Sequence, residues 1–278
     1  CCLRNFGDRV SARHCAARAS QEFRLNHVST AFVVGKRQGL LKESELNCGQ
    51  DFWNAYEQSK LESELLVHQC AGEIQSTIYR PSQVIGESHM GRVRKFFGFY
   101  EFVKLAHRGK MRVLIGDPHA KTDMVPSDYV CEAMVYLSRQ PSAAGRSYHL
   151  AAGLARSVNV DQVVDIVFEM LREQAPQGQA PKRPVVLDAQ LLEQRAGQEE
   201  ARRFHSSALK VLLRTYAPYL AYERDFDVLS TQQQLAAGGV EMAPIDKVLR
   251  LTSRWAIEHE FGLGATKHTS PVIAAAAV

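Results

Sequence analysis

One short apolar run that ends in a glycine constrains the fold more than any other feature of this chain. Residues 27–34 are rich in β-branched side chains, and Gly35 follows them. An apolar run of this length is typical of a parallel strand that is buried on both faces. The sequence therefore predicts an α/β protein. Ser29 and Thr30 place hydroxyls in this run, and a buried hydroxyl needs a hydrogen-bond partner, either backbone or a bound ligand.

The next segment, residues 49–70, predicts a loop and then a helix that carries a tyrosine and a lysine on one face. Tyr56 and Lys60 are four residues apart, which places them about one turn apart. A nearby ammonium lowers a tyrosine pKa from its usual value of about 10, so the pair predicts a general acid that works nearer neutral pH. Leucines at helical spacing are expected inside and glutamates on the other faces. These residues are Leu61, Leu65 and Leu66, and Glu57, Glu62 and Glu64.

The spacing of the tyrosine and the lysine is weak evidence on its own, because Tyr100 and Lys104 repeat it. The surrounding sequence separates the two pairs. Tyr56 follows the hydroxyl-bearing run and precedes an apolar segment that ends at Ser82. Tyr100 instead lies among phenylalanines and is expected in the core or at its rim. The first pair is therefore the candidate site.

Composition excludes several classes of function. The chain has 278 residues, 45% of them hydrophobic, which suits one large domain or one and a half. A net charge of +4 is too small to indicate a nucleic-acid partner. No CxxC or HExxH pattern indicates a metal site, and the cysteines are predicted to be reduced thiols of a cytoplasmic protein. No apolar run approaches the roughly 20 residues of a membrane-spanning helix.

Four motifs together resemble a known superfamily. The segments HVSTAFVVG, YEQSK, IYRPSQVIGE and DMVPSDYV occur in the order found in extended short-chain dehydrogenase/reductases, which include NAD-dependent epimerases and dehydratases. HVSTA followed by NAYEQSK most resembles the thioester reductase branch. That branch includes the fatty acyl-CoA reductases, or male sterility proteins, and the reductase domains of carboxylic acid reductases and peptide synthetases. The resemblance covers residues 26–150.

This resemblance implies a catalytic set and an activity. Thr30 would hydrogen-bond the substrate carbonyl, Tyr56 would donate a proton, and Lys60 would hold the cofactor ribose and lower the Tyr56 pKa. The implied reaction is NAD(P)H-dependent reduction of an acyl thioester, either acyl-CoA or carrier-bound, to an aldehyde or alcohol, with NADPH favoured over NADH. The residues implied to line the nicotinamide pocket are Pro81, Ser82 and Gln83.

The implied fold is a partial Rossmann-type, doubly wound parallel sheet with a small substrate lid and a helical C-terminal region. No G-x-G-x-x-G or G-x-x-G-x-x-G motif precedes Asn26, although a dinucleotide fold needs such a turn for the pyrophosphate. We therefore expect a fragment that lacks N-terminal strands of the sheet, with a degenerate protein as the alternative. These 278 residues alone are predicted not to bind NADPH.

Two regions are predicted along the chain. Residues 1–155 are expected to be the C-terminal part of the reductase domain, and residues 156–278 a mostly helical substrate-side region that could also form a homodimer surface. Within the second region, 158–172 and 244–261 are predicted helices, and the Gln-, Gly- and Pro-rich segment 173–184 is a predicted linker. Two alternatives stay open: a sugar-nucleotide epimerase/dehydratase or hydroxysteroid-type dehydrogenase of the same superfamily, and a catalytically silent fragment or binding module.

Overall fold

A parallel three-stranded sheet lies at the centre of the fold. The computed structural model describes residues 24–176, 179–187 and 219–262. The sheet is formed by β1 (Arg24–Val28), β3 (Gln75–Pro81) and β8 (Ser147–Leu150), in the order β1-β3-β8. Tyr79 pairs with Val28 on one side and with Tyr148 on the other, so the carboxyl ends of the three strands lie at one edge. The predicted parallel α/β architecture is confirmed.

The other elements surround this sheet. Short strands of the described ranges pair in twos: β2 (Leu40–Leu41) with β11 (Asp225–Phe226), β4 (Gln83–Ile85) with β7 (Met124–Pro126), β5 (Val113–Ile115) with β10 (Val185–Leu187), and β6 (Lys121–Thr122) with β9 (Val158–Asn159). The α-helices bounded within these ranges are α1 (Ala55–Gln69), α2 (Phe99–His107), α3 (Ser127–Ser138), α4 (Val160–Gln174), α5 (Leu229–Ala237) and α6 (Ile245–Glu258). Part of the predicted linker, residues 177 and 178, and residues 188–218 of the predicted helical region lie outside the described residues.

The apolar run that predicted the first strand is a strand only at its beginning. β1 ends at Val28, and Ala31–Val34 form a 3-10 helix. The Thr30 hydroxyl accepts a hydrogen bond from the Phe32 N–H at 3.3 Å, which offers the backbone an alternative to the sheet ladder. The predicted strand over 27–34 is therefore wrong beyond residue 28. Gly35 ends the turn with φ +61°, and a Cβ there would lie 2.2 Å from the Asp51 carbonyl oxygen.

Helix α1 lies where a helix was predicted, but the residues that it buries differ from the predicted ones. It begins after Asn54, whose side chain accepts a hydrogen bond from the Glu57 N–H at 3.0 Å. Leu61 is buried as expected, whereas the two other leucines are only half-buried. Glu57 and Glu64 are fully buried, so their predicted positions on outer faces were wrong. The reason is that both carboxylates find polar partners, Arg80 in the case of Glu64, that the local sequence does not reveal.

Helices α2, α4 and α6 enclose the larger apolar core. Val103 of α2, Val164 of α4 and Leu249 of α6 are each fully buried within it. The apolar spacing that predicted the last two helices is confirmed, and Asn159 starts α4 with a reciprocal capping box. Tyr100 is 3% exposed in the same core, as expected from its phenylalanine-rich neighbourhood.

Candidate active site

The three predicted catalytic side chains lie together at the carboxyl edge of the sheet. The Lys60 Nζ donates a hydrogen bond to the carbonyl oxygen of Val28, the last residue of β1, at 2.8 Å. The Thr30 hydroxyl donates to the carbonyl oxygen of Pro81, the last residue of β3, at 3.4 Å. The same hydroxyl lies close enough to Tyr56 to stabilise its phenolate. Ligands of open α/β sheets bind at this edge, so the position suits a catalytic site.

The phenol of Tyr56 is accessible and stays protonated. The side chain is 55% exposed. Partial burial raises the pKa of Tyr56 above its ordinary value of 10.0, the Thr30 hydroxyl opposes that rise, and the Glu57 carboxylate adds to it. The predicted lowering of this pKa by Lys60 is wrong for the present arrangement, in which the Lys60 ammonium lies at the Val28 carbonyl. The phenol is therefore in the form that can donate a proton.

The residues predicted to line a nicotinamide pocket cross the same edge. Pro81 ends β3, Gln83 begins β4, and Ser82 joins the two strands. Ser82 is held by a hydrogen bond from its N–H to the Leu150 carbonyl at 3.1 Å, and Gln83 by one to the Asp123 carbonyl at 3.3 Å. The segment is thus fixed by backbone contacts beside Thr30, and the half-buried Gln83 lines a cavity.

A group of side chains that the sequence does not indicate anchors the start of α1. The Tyr219 hydroxyl donates to the fully buried Glu57 carboxylate at 2.6 Å and accepts from the Asn54 amide at 2.8 Å. Glu57 also accepts from the Trp53 N–H at 3.1 Å. The Asn-x-x-Glu spacing is a capping signal that marks the helix start. Nothing in the local sequence indicates the partner, because Tyr219 is 162 residues from Glu57.

An apolar cavity lies next to this group. Its volume is about 70 Å³, and Gln83 and Tyr219 are among the residues that line it. Side chains of α2, α4 and nearby loops form the rest of the wall. They include Phe99, Phe102, Met111, Val163 and Leu220. An apolar cavity beside a few convergent polar groups is the usual form of a small-molecule site.

Two kinds of feature are not found in the part of the chain that the structure describes. Its His, Cys, Asp and Glu side chains form no group of three that could hold a metal ion. Its helices include none with the length and apolar character needed to cross a bilayer.

His149 predicts an acid-sensitive core. It is fully buried on β8, its Nδ1 lies 3.2 Å from the Asp227 carbonyl oxygen, and burial, with the Arg80 charge, lowers its pKa to about 3. Unfolded histidine binds a proton near pH 6.5, so between about pH 6.5 and 3 the unfolded state holds a proton that the folded state lacks. The free energy of unfolding should therefore fall by about 1.4 kcal/mol per pH unit through this group as the pH drops.

Urea unfolding at a series of pH values measures this effect. Between about pH 6 and 4, the free energy of unfolding should change less steeply with pH in His149→Gln than in the natural protein. His89→Gln, at a side chain that is 80% exposed, should have the same slope as the natural protein. Equal slopes in all three proteins would contradict the role given to His149.

Comparison with known proteins shows which family this part of the chain resembles. Residues 11–134 match the model of a protein family described as male sterility protein. Over these residues, which make up less than half of the chain, the sequence is similar to that family. The matched segment contains Thr30, Tyr56, Lys60 and the segment from Pro81 to Gln83, and the resemblance inferred from the motifs is confirmed.

Individual relatives agree with this similarity. A nonribosomal peptide synthetase of Aspergillus flavus is 26% identical over 126 residues, which cover 42% of this chain and 11% of that protein. The terminal R domain from the myxalamid PKS-NRPS biosynthetic pathway is 24% identical with a TM-score of 0.63, over 86% of this chain and 58% of that chain. A thiolation-reductase di-domain from an archaeal nonribosomal peptide synthetase is 16% identical with a TM-score of 0.63, over 92% and 62%.

The fold is shared with epimerases. UDP-glucuronic acid 4-epimerase from Bacillus cereus in complex with NAD is 14% identical with a TM-score of 0.63, over 90% of this chain and 66% of that chain. This chain thus spans less than two thirds of each of these relatives. The likenesses show a Rossmann-like fold of the short-chain dehydrogenase/reductase type, which is the fold of NAD(P)-dependent oxidoreductases and epimerases, as predicted.

Proposed function

We propose that this chain carries the catalytic centre of an NAD(P)H-dependent thioester reductase that acts on a carrier-bound acyl chain. The observation that carries the proposal is the convergence of Thr30, Tyr56 and Lys60 at the carboxyl edge of the sheet. The family match over residues 11–134 and the synthetase and R-domain relatives support it. Residues 1–155 would form the reductase part and residues 156–278 the substrate side.

Each residue of the set has a distinct role in this reaction. A reduced nicotinamide, when bound, supplies the hydride that the thioester carbonyl carbon takes up. The Thr30 hydroxyl donates a hydrogen bond to the carbonyl oxygen, and Tyr56 donates its proton as negative charge develops there. Collapse of the resulting hemithioacetal breaks the carbon–sulfur bond, releases the carrier thiol and leaves an aldehyde. The raised pKa of Tyr56 favours this role, because it keeps the phenol protonated.

The described residues fit the nicotinamide-ribose half of the cofactor. Lys60 brings an ammonium to the edge of the sheet, where it would bind ribose hydroxyls, and the segment from Pro81 to Gln83 would lie along the nicotinamide. NADPH is the proposed cofactor, on the basis of the resemblance to thioester reductases. No residue here is assigned to the pyrophosphate, because the sequence contains no Gly-rich turn before Asn26.

The proposal is tested with the natural full-length gene product that contains these residues. A carrier domain loaded with an octanoyl thioester is mixed with NADPH, cofactor oxidation is followed by absorbance, and the released product is identified by mass spectrometry after acid quenching and trapping of aldehydes with 2,4-dinitrophenylhydrazine. We expect NADPH consumption with release of an aldehyde. An intact thioester and unchanged NADPH would contradict the proposal, and turnover of a UDP-sugar instead would favour an epimerase.

A further inference from the structure

A buried arginine, Arg224, lies close to the proposed site without a full set of hydrogen-bond partners. It is 6% exposed. Its Nη1 donates to the Tyr222 carbonyl at 3.4 Å, whereas its Nε and Nη2 are buried and have no hydrogen-bond partner among the described residues. Unsatisfied buried donors on a charged group are costly and uncommon in native proteins. These two N–H groups are therefore in place to receive an acceptor from outside the protein.

The surroundings of Arg224 favour a neutral acceptor over an anion. Its guanidinium lies over the rings of Phe32 and Tyr219, 5.3 and 5.1 Å from their centroids. Burial lowers the pKa of Arg224, and the Glu57 carboxylate raises it. That carboxylate is held by the Tyr219 hydroxyl and balances the positive charge without pairing directly with it. The guanidinium thus offers N–H donors rather than an uncompensated charge.

The size and position of the cavity around Arg224 limit what can bind there. Its volume is about 10 Å³, roughly the space of one water-sized group, which is too small for a phosphate. It shares Gln83, Thr122 and Tyr219 with the larger apolar cavity. A single oxygen on a chain that occupies the apolar cavity could therefore reach Arg224.

We propose that Arg224 binds a carbonyl oxygen part-way along the acyl chain, so that the enzyme prefers chains with an internal amide or keto carbonyl over plain alkyl chains. This rests on the proposed function, because it names the substrate class of that same site. A site built to hydrogen-bond a substrate group rejects the analogue without it, since its buried donors are then left unpaired.

Kinetics with matched substrates test the proposal in the natural full-length gene product. The probes are N-acetylcysteamine thioesters of equal chain length with an internal amide, an internal ketone or neither. We expect kcat/KM to favour the carbonyl-bearing probes by at least about 100-fold, and Arg224→Met to bring that ratio close to about 1. Arg224→Gln, which keeps an N–H donor, should retain part of the preference. Arg250→Met, at a partly exposed arginine of α6 that pairs with Glu169 and Glu173, should keep the whole ratio.

A binding measurement separates this proposal from the proposed function. Saturation-transfer NMR on the natural full-length gene product, with non-reducible thioether analogues of the same probes, should show binding of the carbonyl-bearing analogues that Arg224→Met loses. If the carbonyl-bearing analogues bind in this way but no thioester is reduced, the Arg224 subsite is supported and the proposed reductase activity is refuted. Two outcomes would overturn the proposal and show that the cavity holds only water. The first is equal kcat/KM and equal binding for all probes. The second is a kcat/KM ratio between carbonyl-bearing and plain probes that Arg224→Met does not change.

Discussion

Tyr56→Phe is expected to lower the kcat of thioester reduction by about 10²–10⁴-fold, the usual contribution of a positioned proton donor. The substitution removes only the hydroxyl, and the side chain is 55% exposed, so the fold should be unaffected. KM for the acyl substrate should change little, because the proton is transferred as negative charge develops on the carbonyl oxygen. Steady-state NADPH oxidation by the natural full-length gene product measures both constants.

Tyr100→Phe is the matched control, because Tyr100 repeats the spacing to a lysine. Its hydroxyl is buried, accepts a hydrogen bond from the Gly86 N–H at 2.7 Å and shares another with Thr252 at 2.6 Å. Its loss should cost about 1–3 kcal/mol of stability through the unpaired Gly86 N–H, with kcat retained below the melting temperature. Full activity in Tyr56→Phe, or equal losses of kcat in both variants, would refute the role of Tyr56.

Glu64→Gln is expected to lower the free energy of unfolding by about 3–5 kcal/mol. Glu64 receives three hydrogen bonds from Arg80, from Nε to Oε1 at 3.0 Å, from Nε to Oε2 at 3.1 Å and from Nη2 to Oε2 at 2.7 Å, and both side chains are buried. The remaining guanidinium nitrogen donates to the carbonyl oxygens of Glu43 and Glu45. Removal of the carboxylate charge leaves the buried Arg80 uncompensated, which costs more than the pair itself contributes. Denaturant unfolding followed by circular dichroism measures the loss.

Glu45→Gln provides the comparison for this ion pair. Glu45 binds Arg37 at 2.8 Å, but the two side chains are 30% and 23% exposed. Water and salt screen such a pair, so the loss of stability should be much smaller than that of Glu64→Gln. The double variant Glu64→Met with Arg80→Met should be more stable than Glu64→Gln, because no charge stays buried without a partner. If Glu64→Gln and Glu45→Gln lower the free energy of unfolding by similar amounts, burial of the Glu64–Arg80 pair does not affect its contribution to stability.

Local pattern determined a large part of this structure. Helix geometry repeats about every 3.6 residues, so it can be recognised from residues that are neighbours in the sequence. It explains the apolar spacing of α4 and α6 and the interval between Tyr56 and Lys60. The order of the four motifs was enough to indicate the family. The end of β1 was beyond this kind of reasoning, because a single hydrogen bond between Thr30 and Phe32 turned an apolar run into a 3-10 helix.

Only the tertiary structure decided which polar groups are buried and what they bind. Glu64 and Glu57 have the sequence context of surface glutamates, yet Arg80 and Tyr219 draw both into the interior. The environment of Arg224 likewise depends on the ring of Phe32, which lies far away along the chain. Periodicity in the sequence predicts which positions face the core. A buried charge is stable only where a polar or charged partner contacts it, and the tertiary structure brings such partners together from distant parts of the chain.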